Sequence, residues 1–113
     1  MKDWPEELPG AITVCDKDFT IVYMNAKARA TFADSDGAPM LGKSLLGCHK
    51  PESIAKMKEM LESGRVNTYT IRKNGIKKMV WQSPWRESGK IAGIVEISIE
   101  LPENMPHYDR DKV

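Results

Sequence analysis

The stretch that most restricts the fold of this chain is Gly89 to Leu101, GKIAGIVEISIEL. Ile91, Gly93, Val95, Ile97, Ile99 and Leu101 fall on one parity, and Lys90, Glu96, Ser98 and Glu100 on the other. Period-two alternation rich in β-branched residues is the signature of a half-buried strand. Ala92 and Ile94 interrupt the polar parity, so that side is not purely solvent-facing. A strand this long cannot bury its apolar face alone, and the chain before it must supply neighbours and a cover.

Asp3 to Leu8 can form a helical turn, ended by Pro9-Gly10. Ala11 to Cys15 and Phe19 to Met24 alternate on either side of Asp16-Lys17-Asp18, which predicts a hairpin. Asn25 is placed to cap a following helix, because its side chain can accept from the first free N–H groups. Residues 33–44 are rich in Asp, Ser, Gly and Pro and predict a loop or broken helical turns. Met40, Leu41, Leu45 and Leu46 are too apolar for an outer loop and are expected to fold down as a lid. Pro51 to Ser63 is the strongest helix signal, with Pro51 at its first position and Gly64 at its stop. Its apolar stripe is Ile54, Met57 and Leu61, with Met60 at the edge.

Val66 to Lys73 then reads as a strand, and Asn74-Gly75 as a tight hairpin turn into Ile76 to Glu87. Ser88-Gly89 turns the chain into its last strand. A plain two-residue turn there would pair Trp81 with Glu96, whereas a three-residue loop, or one bulge near Pro84, would pair Trp81 with Ile97 and bring the apolar residues together, which is the favoured register. The organisation is an N-terminal cap segment at residues 1–10, one domain at 11–101 and a polar tail at 102–113.

Composition excludes several function classes. Seventeen basic and sixteen acidic residues leave a formal charge of +1, so no field of one sign gathers nucleic acid or an anionic membrane. No apolar run approaches the roughly 20 residues that span a bilayer. The opening MKDWPEELPG is acidic and proline-interrupted, unlike a secretory signal. Two cysteines, Cys15 and Cys48, without such a signal favour two free thiols in a reducing cytoplasm over a disulfide between them.

From Ala11 to Glu100 the order of these elements resembles a PAS domain. The likeness rests on AITVCDKDFTIVYMN, Gly42-Lys43, ESIAKMKEMLESG, the Asn74-Gly75 turn and SPWRESGKIAGIVEI, taken in order. It implies an α+β fold: a five-stranded antiparallel sheet in spatial order 2-1-5-4-3, with helices over one face. The space between sheet and long helix then holds a ligand or a plain core. Many members continue from the last strand into an Asp-Ile-Thr cap and a signalling helix. Here Ile99-Glu100-Leu101-Pro102 follows instead, so the resemblance is to a PAS module that stands without an output domain.

Residues that can carry chemistry are few. Cys48-His49, before the long helix, is the candidate haem ligand or reactive thiol, against the plainer reading of a buried cysteine and a half-exposed histidine. Haem-binding members of the family place histidine on the long helix, and Pro51 to Ser63 has none. The flavin-binding light sensors carry Asn-Cys-Arg-Phe-Leu-Gln, of which Gly47-Cys48-His49-Lys50 keeps only the cysteine. If an adaptable apolar pocket exists, the helix and sheet residues expected to line it are Met57, Leu61, Tyr69, Ile71, Trp81 and Ile97. Arg72, Lys73, Lys77 and Lys78 are expected at a solvated hairpin tip. No Ser-His-Asp order, phosphate loop, CxxC or HExxH is present, which argues against an enzyme.

The expectation is a cytoplasmic sensory module that binds a small apolar ligand or a protein partner. A homodimer would close over the second apolar patch at Ala92 and Ile94, or over Trp4 and Leu8 packed across the sheet. A separate signalling protein would carry the output. The alternative is a small enzyme or ligand carrier with chemistry at Cys48-His49.

Overall fold

The structure is a computed structural model that describes residues 3–36, 42, 44, 45 and 50–112, with the backbone alone for 32–36. Cys48 and His49, and Met40, Leu41 and Leu46 of the expected lid, lie outside the described residues. Among the described residues five strands form one antiparallel sheet: β1 (Ala11–Asp16), β2 (Ile21–Met24), β3 (Asn67–Lys73), β4 (Ile76–Glu87) and β5 (Lys90–Glu100). Their spatial order is β2-β1-β5-β4-β3, as the resemblance implies. Two helices, α1 (Ala26–Asp36) and α2 (Pro51–Ser63), pack on one face of it.

Local chemistry sets the boundaries. Asn25 is fully buried and satisfied on all sides. Its Oδ1 accepts from the N–H of Ala28 at 3.0 Å and of Ile12 at 2.9 Å, and its Nδ2 donates to the carbonyls of Pro5 and Gly10, both at 2.8 Å. One side chain therefore caps α1, pins β1 and ties down the N-terminal turn. Helix α2 begins at Pro51 and ends at Gly64, whose N–H donates to the Met60 carbonyl. The Asn74-Gly75 and Ser88-Gly89 turns have positive φ at both residues, the hairpin geometry that matches strand twist.

The last hairpin has a two-residue turn and also a bulge, at Ala92 of β5 opposite the Trp85/Arg86 step. Trp81 consequently pairs with Ile97, as the sequence predicts. The bulge also turns Ile91 toward the helices, near Gly64 and Arg86, and away from the parity it shares in sequence with Val95.

The core lies on the other side of β5 from the one its apolar count suggests. Ile94 is buried against Met57 and Met60 of α2, with Cys15 and Phe19 completing the cluster. A second cluster joins Ile21 and Met24 of β2 to Ala28 of α1. With β5 regular from Gly93 to Glu100, Ile94 facing the helices sends Val95, Ile97 and Ile99 outward. The expected dimer patch at Ala92 and Ile94 is thus corrected, because Ile94 is only 3% exposed beneath α2.

Gly93 explains how the outer face closes near the bulge. The Trp85 indole crosses it and donates through Nε1 to the Cys15 carbonyl at 2.9 Å. A Cβ on Gly93 would lie 1.9 Å from that carbonyl oxygen and 2.7 Å from the indole nitrogen.

Candidate functional site

The helix-facing side of the sheet has two different ends. Near β2 and α2 it is solid apolar core. Across β5, β4 and β3 it becomes polar. Thr13, Glu96, Gln82 and Asn67 are successive neighbours across four strands. Asn67 Nδ2 donates to Gln82 Oε1 at 2.8 Å, and Gln82 Nε2 donates to Glu96 Oε1 at 2.8 Å. Thr13 and Gln82 are buried at 7% exposure each, and Glu96 and Asn67 are half-buried. Buried amides persist where their hydrogen bonds are made, and this ladder makes them in series.

A cavity opens on each side of this row. One, about 480 Å³, lies between Glu52, Ser53 and Lys56 of α2 and the sheet residues Asn67, Tyr69 and Gln82. The other, about 240 Å³, lies between Lys27 and Thr31 of α1 and a floor that includes Tyr69, Val80 and Glu96. Tyr69 borders both. Burial, and then the Glu96 carboxylate, push the Tyr69 phenol above its ordinary range, so it remains a protonated donor. At the far mouth of the smaller cavity, Lys27 and Glu100 approach to 3.7 Å, an exposed pair of small energetic weight.

The arrangement suits reversible binding of a small polar molecule. Cys15 is a free thiol in the apolar cluster, and burial pushes its pKa up, which keeps it protonated and a poor nucleophile.

The structure divides the residues expected to line one pocket. Tyr69 and Ile71 border the smaller cavity. Met57 is buried in the core, and Leu61 packs against that cluster. Trp81 and Ile97 pair with each other on the opposite face of the sheet. The reason is alternation: Val80 faces the α1 cavity, so its neighbour Trp81 faces away. The basic residues of the β3-β4 hairpin divide as well. Lys73 and Lys78 border the smaller cavity, whereas Arg72 donates to Glu103 at 2.9 Å.

Sequence reasoning missed Glu96, Gln82 and Asn67. The available signal was Ile94 on the polar parity of β5, since a core residue there places Glu96, two positions on, beneath the same cover.

This geometry has relatives among known proteins. VqmA of Vibrio cholerae, in a structure described in terms of LuxR-type receptors, superposes with a TM-score of 0.67 at 19% identity, covering 87% of this chain and 48% of that one. The present chain thus spans about half of VqmA. The PAS domain of the histidine kinase ThkA superposes with a TM-score of 0.64 at 21% identity, covering 80% of this chain and 97% of that one. A PAS domain from Colwellia psychrerythraea gives 0.63 at 19% identity, covering 88% and 92%. At such identities the likeness speaks for the fold. No curated protein matches the chain. The family model described as the PAS fold matches residues 6–104, nearly the whole sequence, and the chain accordingly belongs to the PAS-fold family.

Proposed function

We propose that this chain is the sensory module of a cytoplasmic signalling system, with residues 11–101 as its body, and that it responds to a small molecule held between the sheet and its helices. The observation that carries this reading is the hydrogen-bonded row Asn67–Gln82–Glu96 flanked by two cavities, inside a fold shared with sensor-kinase PAS domains. VqmA, a structural neighbour, is described as bound to DPO and in a complex with ligand and DNA, which supports small-molecule sensing on this fold. The polar floor favours a polar ligand over the apolar one that the methionines and tryptophans suggest.

The row is part of β4 and β5, so a bound molecule acts directly on the last hairpin. The signal requires only that the ligand bind one hairpin arrangement better than another. The outer face, with Val14, Met79, Trp81, Val95 and Ile97 half-buried and Ile99 at 41% exposure, is the surface for a second copy of the chain, and a separate signalling protein reads the change. Among the described residues no helix is long and apolar enough to cross a membrane.

Mass spectrometry of the small molecules released when the purified protein is denatured tests the reading. The expected result is one compound near equimolar with the chain. A chain that releases none, and whose thermal midpoint no cell-extract fraction raises, would refute it. Light scattering is expected to give the mass of a homodimer, and a monomer at high concentration would remove that part.

A further inference from the structure

The direction of the hydrogen bonds in the cleft restricts the ligand further. Resting on the sensory reading above, we propose that the ligand presents N–H donors, as an amine or amidine does, and is held by the Glu96 carboxylate in the smaller cavity.

The row is polarised. Asn67 spends an N–H on Gln82, and Gln82 spends an N–H on Glu96. Donors therefore run toward Glu96, whose Oε2 remains an acceptor with no donor beside it, while Asn67 at the other end keeps Oδ1 and one amide hydrogen. Among the described residues neither oxygen takes a hydrogen bond. Gln82 between them is buried with its Oε1 and one amide hydrogen committed. Neighbouring strands lie about 4.8 Å apart, so the two acceptors sit on strands about 10 Å apart and face the cavities on either side of Tyr69. A half-buried carboxylate gains most from a charge-assisted N–H donor and is penalised by a second carboxylate.

The lysines around the cleft do not reverse this preference. Lys78 stands opposite Glu100, four residues along β5 from Glu96, a separation of about 13 Å at 3.3 Å per residue. Lys27 already pairs with Glu100, and Lys73 lies beyond Lys78 near the hairpin tip. Lys56 is an exposed rim residue one turn from Glu52 on the same face of α2, so the two charges offset each other. The carboxylate closest to the row is therefore the charge a ligand meets at its floor. The tyrosine phenol, held protonated, offers a ring face and one donor beside it.

Three isosteric probes separate the possibilities: benzamidine, benzamide and benzoate share one shape and differ in donors, acceptors and charge. Each is titrated into the full ¹⁵N-labelled chain, following the side-chain amides of Gln82 and Asn67 and the backbone of β4 and β5. Benzamidine is expected to shift those resonances and to bind at least about tenfold more tightly than benzoate, with benzamide between them. Glu96→Gln, with a spectrum that stays dispersed, is expected to erase the difference. Benzoate binding as tightly as benzamidine at these resonances would overturn the donor class and leave the cleft reading intact. No shift from any probe would overturn both. The wild-type ranking alone decides the matter if the variant fails to fold.

Discussion

The two faces of the sheet use their side chains in opposite ways. The face beneath the helices holds the apolar clusters around Met57 and Ile21, yet also a carboxylate, two amides and a threonine in a row. The face away from the helices carries Trp81, Val95, Ile97 and Ile99, more apolar and less covered. Cover therefore does not follow apolar count along a strand. The polar row lies under the roof, and the apolar residues of the same strands fall on the open side.

The largest effect expected from any single change is on the closed corner of the outer face. Gly93→Ala places a methyl into the Cys15 carbonyl and the crossing indole, and is expected to cost on the order of 4 kcal/mol in a denaturant titration. A variant as stable as the parent would show that the outer face is loose, and would weaken the contrast drawn here. Next is Asn25→Ala, which tests how firmly the helix side is fixed. It removes a cap, worth about 1 kcal/mol, and strands buried partners of β1 and the N-terminal turn, for a total of about 3 kcal/mol in the same titration.

A matched pair sharpens the comparison directly. Val80 and Ile99 belong to adjacent strands on opposite faces, at 5% and 41% exposure. Val80→Ala is expected to cost about 2 kcal/mol and Ile99→Ala under about 1 kcal/mol. Ile99→Lys should leave thermal stability nearly unchanged and weaken self-association measured by sedimentation. Equal costs for the two alanine variants would erase the distinction between the faces.

The smallest effect concerns pH at the edge of the sheet. The Arg29 guanidinium bonded to Glu6, with a further hydrogen bond from Tyr23, holds the Glu6 carboxyl below its ordinary range. A depressed folded-state value contributes stability above the unfolded value, and that contribution is lost as pH falls through the folded one. Thermal midpoints of the parent and Glu6→Gln should therefore differ at neutral pH and converge as pH drops below about 4.3. A gap that persists in acid would remove the ion pair as its cause.

The contrast between the faces also locates where sequence reasoning succeeds. Helix α2 was legible because Pro51, Gly64 and the methionine stripe agree on one element. The strands were legible because Asn74-Gly75 and Ser88-Gly89 admit little besides tight turns. The choice of face was not legible. Four apolar side chains on one parity of β5 outnumber Ile94, yet Ile94 meets the helix, because the partners Cys15 and Phe19 come from chain far away in sequence. The bulge then moved Ile91 to the other side, a local event that no periodicity encodes. Tyr69 and Ile71 border the smaller cavity, and Trp81 and Ile97 fall on the opposite face by the same inversion.

The indole of Trp85 has a consequence of its own. It fastens β4 to β1, two strands with β5 lying between them, so it acts as a rivet through the middle of the layer. Sliding of the final hairpin along β1 must draw the rivet out and wet the ring. Trp81→Phe and Trp4→Phe leave Trp85 as the sole emitter, and its fluorescence then becomes an optical gauge of shear. A red shift on ligand addition would report slippage, and a constant spectrum would mean that the layer moves as one rigid plate.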